Sequence, residues 1–212
     1  MIIALDGPAA AGKGTLARAL ATEYDLAYLD TGSLYRATGL AVLQAGGDPA
    51  DPAAAAAAAG TLDLSRIPPE AIRSEAAGEA ASKVAAIPGV RAALLAYQRR
   101  FAQHPPGGKR GAVIDGRDIG TVVCPDADVK IFVTASLEER ARRRVKELRD
   151  KGEPVIEARV FADMMARDAR DSGRGVSPLK PAEDAFVLDT SGLDAQAALA
   201  AAKAYIESKS KS

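Results

Sequence analysis

Met1-Ile2-Ile3-Ala4-Leu5-Asp6-Gly7-Pro8-Ala9-Ala10-Ala11-Gly12-Lys13-Gly14-Thr15 opens the chain and decides its fold. The aliphatic run from Met1 to Asp6 has the length of a buried strand. Leu16, Leu20 and Tyr24 then recur at i, i+4 and i+8, the spacing of a helix face. Between strand and helix the chain must turn through Gly7 and Gly12. Glycines at both ends let successive backbone N–H groups point inward as an anion nest. The helix that follows adds its positive end, and Lys13 reaches the phosphates held there. Residues Gly7, Pro8, Ala9, Ala10, Ala11, Gly12, Lys13, Gly14 and Thr15 are the expected cradle of a nucleotide's phosphates. Gly14 follows the lysine and the hydroxyl comes one residue later, on Thr15. A metal is therefore expected to rest mostly on nucleotide oxygens and water, with Thr15 and Asp115 as its protein-side candidates.

Working outward, short aliphatic runs recur at Ala27 to Asp30, Ala112 to Asp115, Val129 to Thr134 and Phe186 to Asp189, each separated from the next by helical spacing. The alternation predicts an α/β fold of three layers, a five-stranded parallel sheet with helices on both faces. Two stretches break it. One, from about Ser33 to Gln103, has no convincing strand and contains the alanine tract Ala53 to Ala59, read as a good helix former on an undemanding surface. The other, from about Arg140 to Pro181, reads as two charged helices with a turn at Lys151 to Pro154. The expected layout is a core at 1–32, 104–139 and 166–212, an acceptor-binding insertion at 33–103 and a lid at 140–165. Pro105 to Gly111 is a loop entering a core strand, the last helix runs from Asp194 to about Ser208, and Ser208 to Ser212 is expected to fray.

Composition narrows the function. The chain has 212 residues, 28 basic and 28 acidic side chains and a formal net charge of zero, so no global field draws in nucleic acid or an anionic membrane. Asp6 and Gly7 cut the opening apolar run too short for a signal-peptide core, and no other run nears the ~18 apolar residues that span a bilayer. The single cysteine, Cys124, precludes an internal disulfide framework and suits a reducing compartment, with the cytoplasm as the expected location. The chain has no asparagine, so the Asn-Lys-x-Asp segment of a guanine-reading switch is absent. His104, beside Pro105 and Pro106, is expected to be a loop residue, and Cys124 a small packed one.

A second substrate that is itself a phosphate should leave a trace of arginines able to hold it in line with the first. Asp30-Thr31-Gly32-Ser33-Leu34-Tyr35-Arg36 and Asp115-Gly116-Arg117-Asp118 both follow strands, at the carboxyl edge where open α/β sheets bind ligands. Arg167, Arg170, Asp171 and Arg174 form a cluster in which offsets 0, 4 and 7 put Arg167, Asp171 and Arg174 on one helix face. Ser82 and Arg91 lie in the helical insertion. Arg140, Arg142, Arg143 and Arg144 read as a solvated charge run whose members cannot all point one way.

These segments, with Ala80-Ala81-Ser82-Lys83-Val84-Ala85, Val90-Arg91, Asp115-Gly116-Arg117-Asp118-Ile119-Gly120-Thr121-Val122-Val123 and Arg167-Asp168-Ala169-Arg170-Asp171, resemble the bacterial cytidylate kinases in the same order over nearly the whole chain. The resemblance implies transfer of a phosphoryl group from ATP, with Mg²⁺, to CMP or dCMP in pyrimidine metabolism, by a monomer. It implies that Ser82, Arg91 and Asp118 read the cytosine and that Arg167 and Asp171 hold the sugar. Thr31, Arg36, Arg117 and Arg174 would then surround the acceptor phosphate, and Lys13, Arg117 and Arg174 would be catalytic. The region Gly46 to Pro69 is shorter than the strand-containing insertion expected of longer bacterial forms. Other P-loop kinases of adenylate or shikimate type, or a nucleotide-binding switch, are the alternatives.

Overall fold

The computed structural model describes residues 1–63, 69–72 and 74–209. Five strands, β1 (Ile2–Asp6), β2 (Ala27–Asp30), β3 (Ala112–Asp115), β4 (Val129–Thr134) and β5 (Phe186–Asp189), form one sheet in the order β2-β3-β1-β4-β5, every pair parallel. The registers Leu5↔Asp115 and Asp30↔Asp115 bring the carboxyl ends of β1, β2 and β3 level. β1 has neighbours on both sides and is read by alternation: Ile3 and Leu5 are buried against α1 (Lys13–Glu23) and the last helix, whereas Ala4 faces the opposite layer with Ile114 and Leu29. The three layers and the all-parallel sheet read from the sequence are present.

Helices α2 (Thr31–Gln44), α3 (Pro52–Gly60), α4 (Pro69–Ile72), α5 (Glu75–Val84) and α6 (Pro88–Gln103) carry the first insertion, and a π-helical turn at Ile119–Val123 follows β3. α7 (Leu137–Asp150) and α8 (Glu157–Ser172) form the charged hairpin, and α9 (Ala195–Lys209) closes the fold. The insertion has a core of its own, with Leu34, Val42, Val84, Val90 and Leu94 gathered from α2, α5 and α6. The hairpin has another, built on Ala141, Val145 and Leu148 of α7 and Val160 and Met164 of α8.

Several expectations are corrected here. The alanine tract is not merely a surface helix: Ala55 and Ala59, one turn apart, are buried in the insertion's core, because only a small side chain lets α3 lie close to α2 and α6. Asp51 starts that helix by accepting N–H bonds from Ala53 and Ala54, with Pro52 in the first turn. The layout boundaries at 32/33 and 165/166 fall inside α2 and α8, so neither is a joint in the chain. α8 ends at Ser172, and Arg174 lies in the loop beyond it rather than on its face. Ser208 belongs to α9, while 210–212 lie outside the described residues. Of the segment Gly46 to Pro69, residues 64–68 lie outside them too; α3 and turns account for most of the remainder.

Gly39 shows how tightly the insertion is packed. A Cβ there would stand 2.7 Å from that of Ala80, where α2 crosses α5. Gly39→Val is expected to cost about 1–3 kcal/mol through overpacking at this crossing, read as a lowered urea midpoint with an unchanged slope.

Candidate active site

The turn after β1 is set by three positive φ angles, Gly7 at 144°, Ala10 at 59° and Gly12 at 88°. Gly7 is obligatory for a second reason: a Cβ would sit 1.9 Å from the Val133 carbonyl oxygen. Backbone N–H groups so turned make a concave donor surface, and no acidic side chain lies in the first turn of α1 to compete for it. Lys13 is 6% exposed and donates from Nζ to the Pro8 carbonyl at 2.8 Å. Burial, with Arg117 and Arg167 adding repulsion, pushes its ammonium down to about 7, against the pull of Asp115 and Asp6. The cradle is braced from behind. Ala10 packs on the α7–α8 core, Arg140 donates to the Ala9 carbonyl, and Thr190 Oγ1 donates to that of Ala11.

Across from the cradle, the ends of β2 and β3 supply the other wall. Thr31 donates through Oγ1 to the Asp115 carbonyl at 2.8 Å, and Arg36 pairs with Asp30 at 2.5 Å. Asp115 is buried, and that burial pushes its carboxyl up although Lys13 opposes the shift. Its Oδ2 lies 3.5 Å from where a Cβ of Gly14 would be, so the carboxylate reaches the foot of the cradle, while Thr15 stays exposed. Asp118 pairs with Arg91 of α6, both buried. Asp171 accepts from Arg117 Nε at 3.0 Å and from Arg174, and these cations hold its carboxyl below the usual carboxylate range despite burial. Burial, with Arg117 nearby, lowers Arg167 to about 10. Ser82 of α5 accepts a bond from Arg170 Nε at 3.0 Å.

The predicted residues therefore meet, although they come from α2, α5, α6, the loop after β3 and the end of α8. Six buried side-chain polar atoms among the described residues have no partner, and four of them are guanidinium Nε atoms of Arg36, Arg91, Arg167 and Arg174. Arg36 and Arg117 lie close enough to Arg167 to repel it, Arg174 is close to Arg91 and Arg117, and Arg117 and Arg167 also crowd Lys13, so the cations gather beside the cradle, where an anion would relieve their repulsion.

Sequence reasoning missed two contributors. Arg140 was assigned to a solvated run, yet its side chain is 7% exposed and forks onto Asp168 at 2.6 and 3.2 Å. The apolar stripe Ala141, Val145, Leu148 was the available signal that this side of α7 turns inward. Asp6 carried no such mark, whereas Arg170, grouped with Arg167, Asp171 and Arg174 in the sequence, reaches Ser82. Cys124 and His104 stand as read: Cys124 is buried, which pushes its thiol up to about 11, and His104 is an exposed residue at the C-terminus of α6.

A phosphate nest at the carboxyl edge of a parallel sheet, beside a cluster of arginines, defines a P-loop kinase of small phosphorylated acceptors. The family model for Cytidylate kinase matches residues 3–208. The chain belongs to the cytidylate kinase family. It is 62% identical over 208 residues to a cytidylate kinase of Paramagnetospirillum magneticum, covering 98% of each chain. It is 61% identical over 211 residues to one of Rhodospirillum rubrum, covering 100% of this chain and 99% of the relative. Among solved structures it resembles an uncharacterized protein from Eubacterium ventriosum, with a TM-score of 0.57 at 12% identity over 98% of this chain and 99% of that one, a likeness of fold alone.

Proposed function

We propose that this cleft transfers the γ-phosphoryl group of ATP to CMP or dCMP, giving ADP and CDP or dCDP, in the pyrimidine metabolism of the cytoplasm, and that the working unit is the monomer. The observation that carries the reading is the gathering of Arg36, Arg117, Arg167 and Arg174 beside Lys13 of the cradle.

The acceptor's attacking atom is a phosphate oxygen, largely dianionic near neutral pH because the second pKa of a phosphate monoester is about 6. No general base is required of the protein. What the chain must do is relieve repulsion between two polyanions and stabilise charge on the group in flight. The nest at Gly7 to Thr15 and Lys13 hold the donor. Thr31, Arg36, Arg117 and Arg174 hold the acceptor phosphate, with Lys13, Arg117 and Arg174 meeting the transferring group. Arg167 and Asp171 hold the sugar. Ser82, Arg91 and Asp118 read the base, since a carboxylate accepts from the 4-amino group of cytosine but has nothing to accept from the 4-oxo group of uracil.

Thr15 and Asp115 offer the hard oxygen donors that Mg²⁺ uses beside substrate phosphates, and the reach of Asp115 to the foot of the cradle fits that ion. Mg²⁺, when bound, neutralises phosphate charge. The α7–α8 hairpin serves as the lid that excludes water, helices α2 to α6 as the acceptor-binding unit and the remainder as the core; the separate cores of the two insertions support this division. The test is ADP release from Mg-ATP with CMP, dCMP, UMP, AMP, GMP and shikimate in parallel. CMP and dCMP are expected to lead by at least tenfold. AMP or shikimate in first place would replace the reading with one of its P-loop alternatives.

A further inference from the structure

Asp6 ends β1, is 4% exposed, and is given no substrate contact in the scheme above, although its charge acts on Lys13. Its two carboxylate oxygens each accept a backbone N–H at 2.7 Å, Oδ1 from Ile119 and Oδ2 from Gly120. Those are the first two residues of the π-helical turn, whose own bonds run from Val122 and Val123 back to the Asp118 carbonyl and from Cys124 to that of Ile119. The amides Asp6 receives are thus donors the turn cannot satisfy by itself. A Cβ on Gly120 would stand 3.4 Å from Asp6 Oδ2 and 3.2 Å from the Lys130 side chain, so there is little room for the turn to shift or for water to take over the role.

The chain geometry gives this contact a purpose. Asp6 is covalently joined to Gly7, where the cradle begins, and it caps a turn immediately preceded by Arg117 and Asp118. We infer that Asp6 is a positioning residue: its carboxylate fixes the Arg117–Asp118 segment relative to the donor cradle and so sets the alignment and base selectivity of the acceptor. This inference rests on the reading that Asp118 addresses the base. Burial of Asp6, opposed chiefly by these two amide bonds, raises its carboxyl to about 7, a cost tolerated where both oxygens are needed as acceptors.

The test is Asp6→Asn beside Asp118→Ala, with kcat and KM for ATP, CMP and UMP. Asn keeps the shape but offers one acceptor and turns an N–H donor toward the second amide. Asp6→Asn is expected to raise KM for CMP about tenfold and narrow the CMP-to-UMP ratio of kcat/KM about tenfold, with KM for ATP within about twofold of wild type. Hydrogen exchange in the folded variant should accelerate at the Ile119 and Gly120 amides and not at those of β1. Equal rises in both KM values, or an unchanged ratio in Asp6→Asn while Asp118→Ala loses selectivity, would overturn the role of Asp6 alone. An unchanged ratio in Asp118→Ala would remove the base-reading assignment and this inference with it. Asp6→Glu, which restores two acceptors, should recover part of the CMP selectivity if the variant with Asn is poorly folded; no recovery in a folded Asp6→Glu counts against it.

Discussion

Lys13→Met is expected to lower turnover about 10³-fold and at the same time to stabilise the nucleotide-free protein near neutral pH. Both effects follow from one fact, the ammonium group buried among like charges. Arg117 and Arg167 crowd it, and burial alone is the largest influence bringing it down to about 7. In the free protein that arrangement is unfavourable; with a polyphosphate in the cradle it becomes favourable, so the interaction grows where charge is densest. Between about 7 and the unfolded value of 10.5 the unfolded chain binds the proton more tightly, so wild-type stability should rise with pH across that window. The methionine variant lacks this slope. Its advantage at pH 7 should shrink as pH rises through the window. Asp115 limits the gain, because a buried carboxyl that loses its strongest cation takes up a proton more readily. Urea unfolding at several pH values and ADP release with CMP check the two halves separately. A variant that is inactive and also less stable at pH 7 would mean that Lys13 is a structural tether for the Pro8 carbonyl rather than a charge held ready for phosphate.

The cradle was legible because its chemistry is contiguous: strand, glycine turn, lysine and helix follow one another within Ile2 to Glu23. The strands were legible for a related reason, since each is a short aliphatic run. The arginine cluster was not. Its arginines are brought together by tertiary packing, and only the family resemblance joined Arg91 on α6 to Asp118 after β3. Local periodicity also misled at the end of α8, where Arg174 keeps its partner Asp171 although the helix has stopped at Ser172. A count of charges could not say which member of the Arg140 to Arg144 run turns inward; Arg140 does, and Arg142 remains in solvent. Asp6 went unread because an acidic residue ending a strand looks like ordinary punctuation until the amides it receives, more than a hundred residues away, are seen.

Asp171→Asn should cost about 3 kcal/mol of stability and at least 10² in kcat/KM for CMP, the largest combined loss expected of a substitution that changes no side-chain volume. The carboxylate is 2% exposed and takes Arg117 on one oxygen and Arg174 on the other. An amide can accept from one guanidinium but turns donors toward the other, leaving buried cations without their counter-ion. The nearby Arg167, whose Nε already lacks a partner, adds to the repulsion. Because those cations hold Asp171 below the ordinary carboxylate range, its contribution is complete above the unfolded value of 3.8 and is lost as pH falls from there through the folded value. Wild type should therefore lose its advantage over the variant in acid, and the two unfolding midpoints should converge. Inorganic phosphate supplies a second readout. An anion can stand in for the missing carboxylate, so phosphate should raise the melting temperature of Asp171→Asn more than that of wild type. If Asp171 served only as a hydrogen-bond acceptor for the sugar, the variant would lose CMP affinity with its acid stability curve and phosphate response unchanged; movement of all three together requires that the same carboxylate also hold the acceptor-side arginines in register.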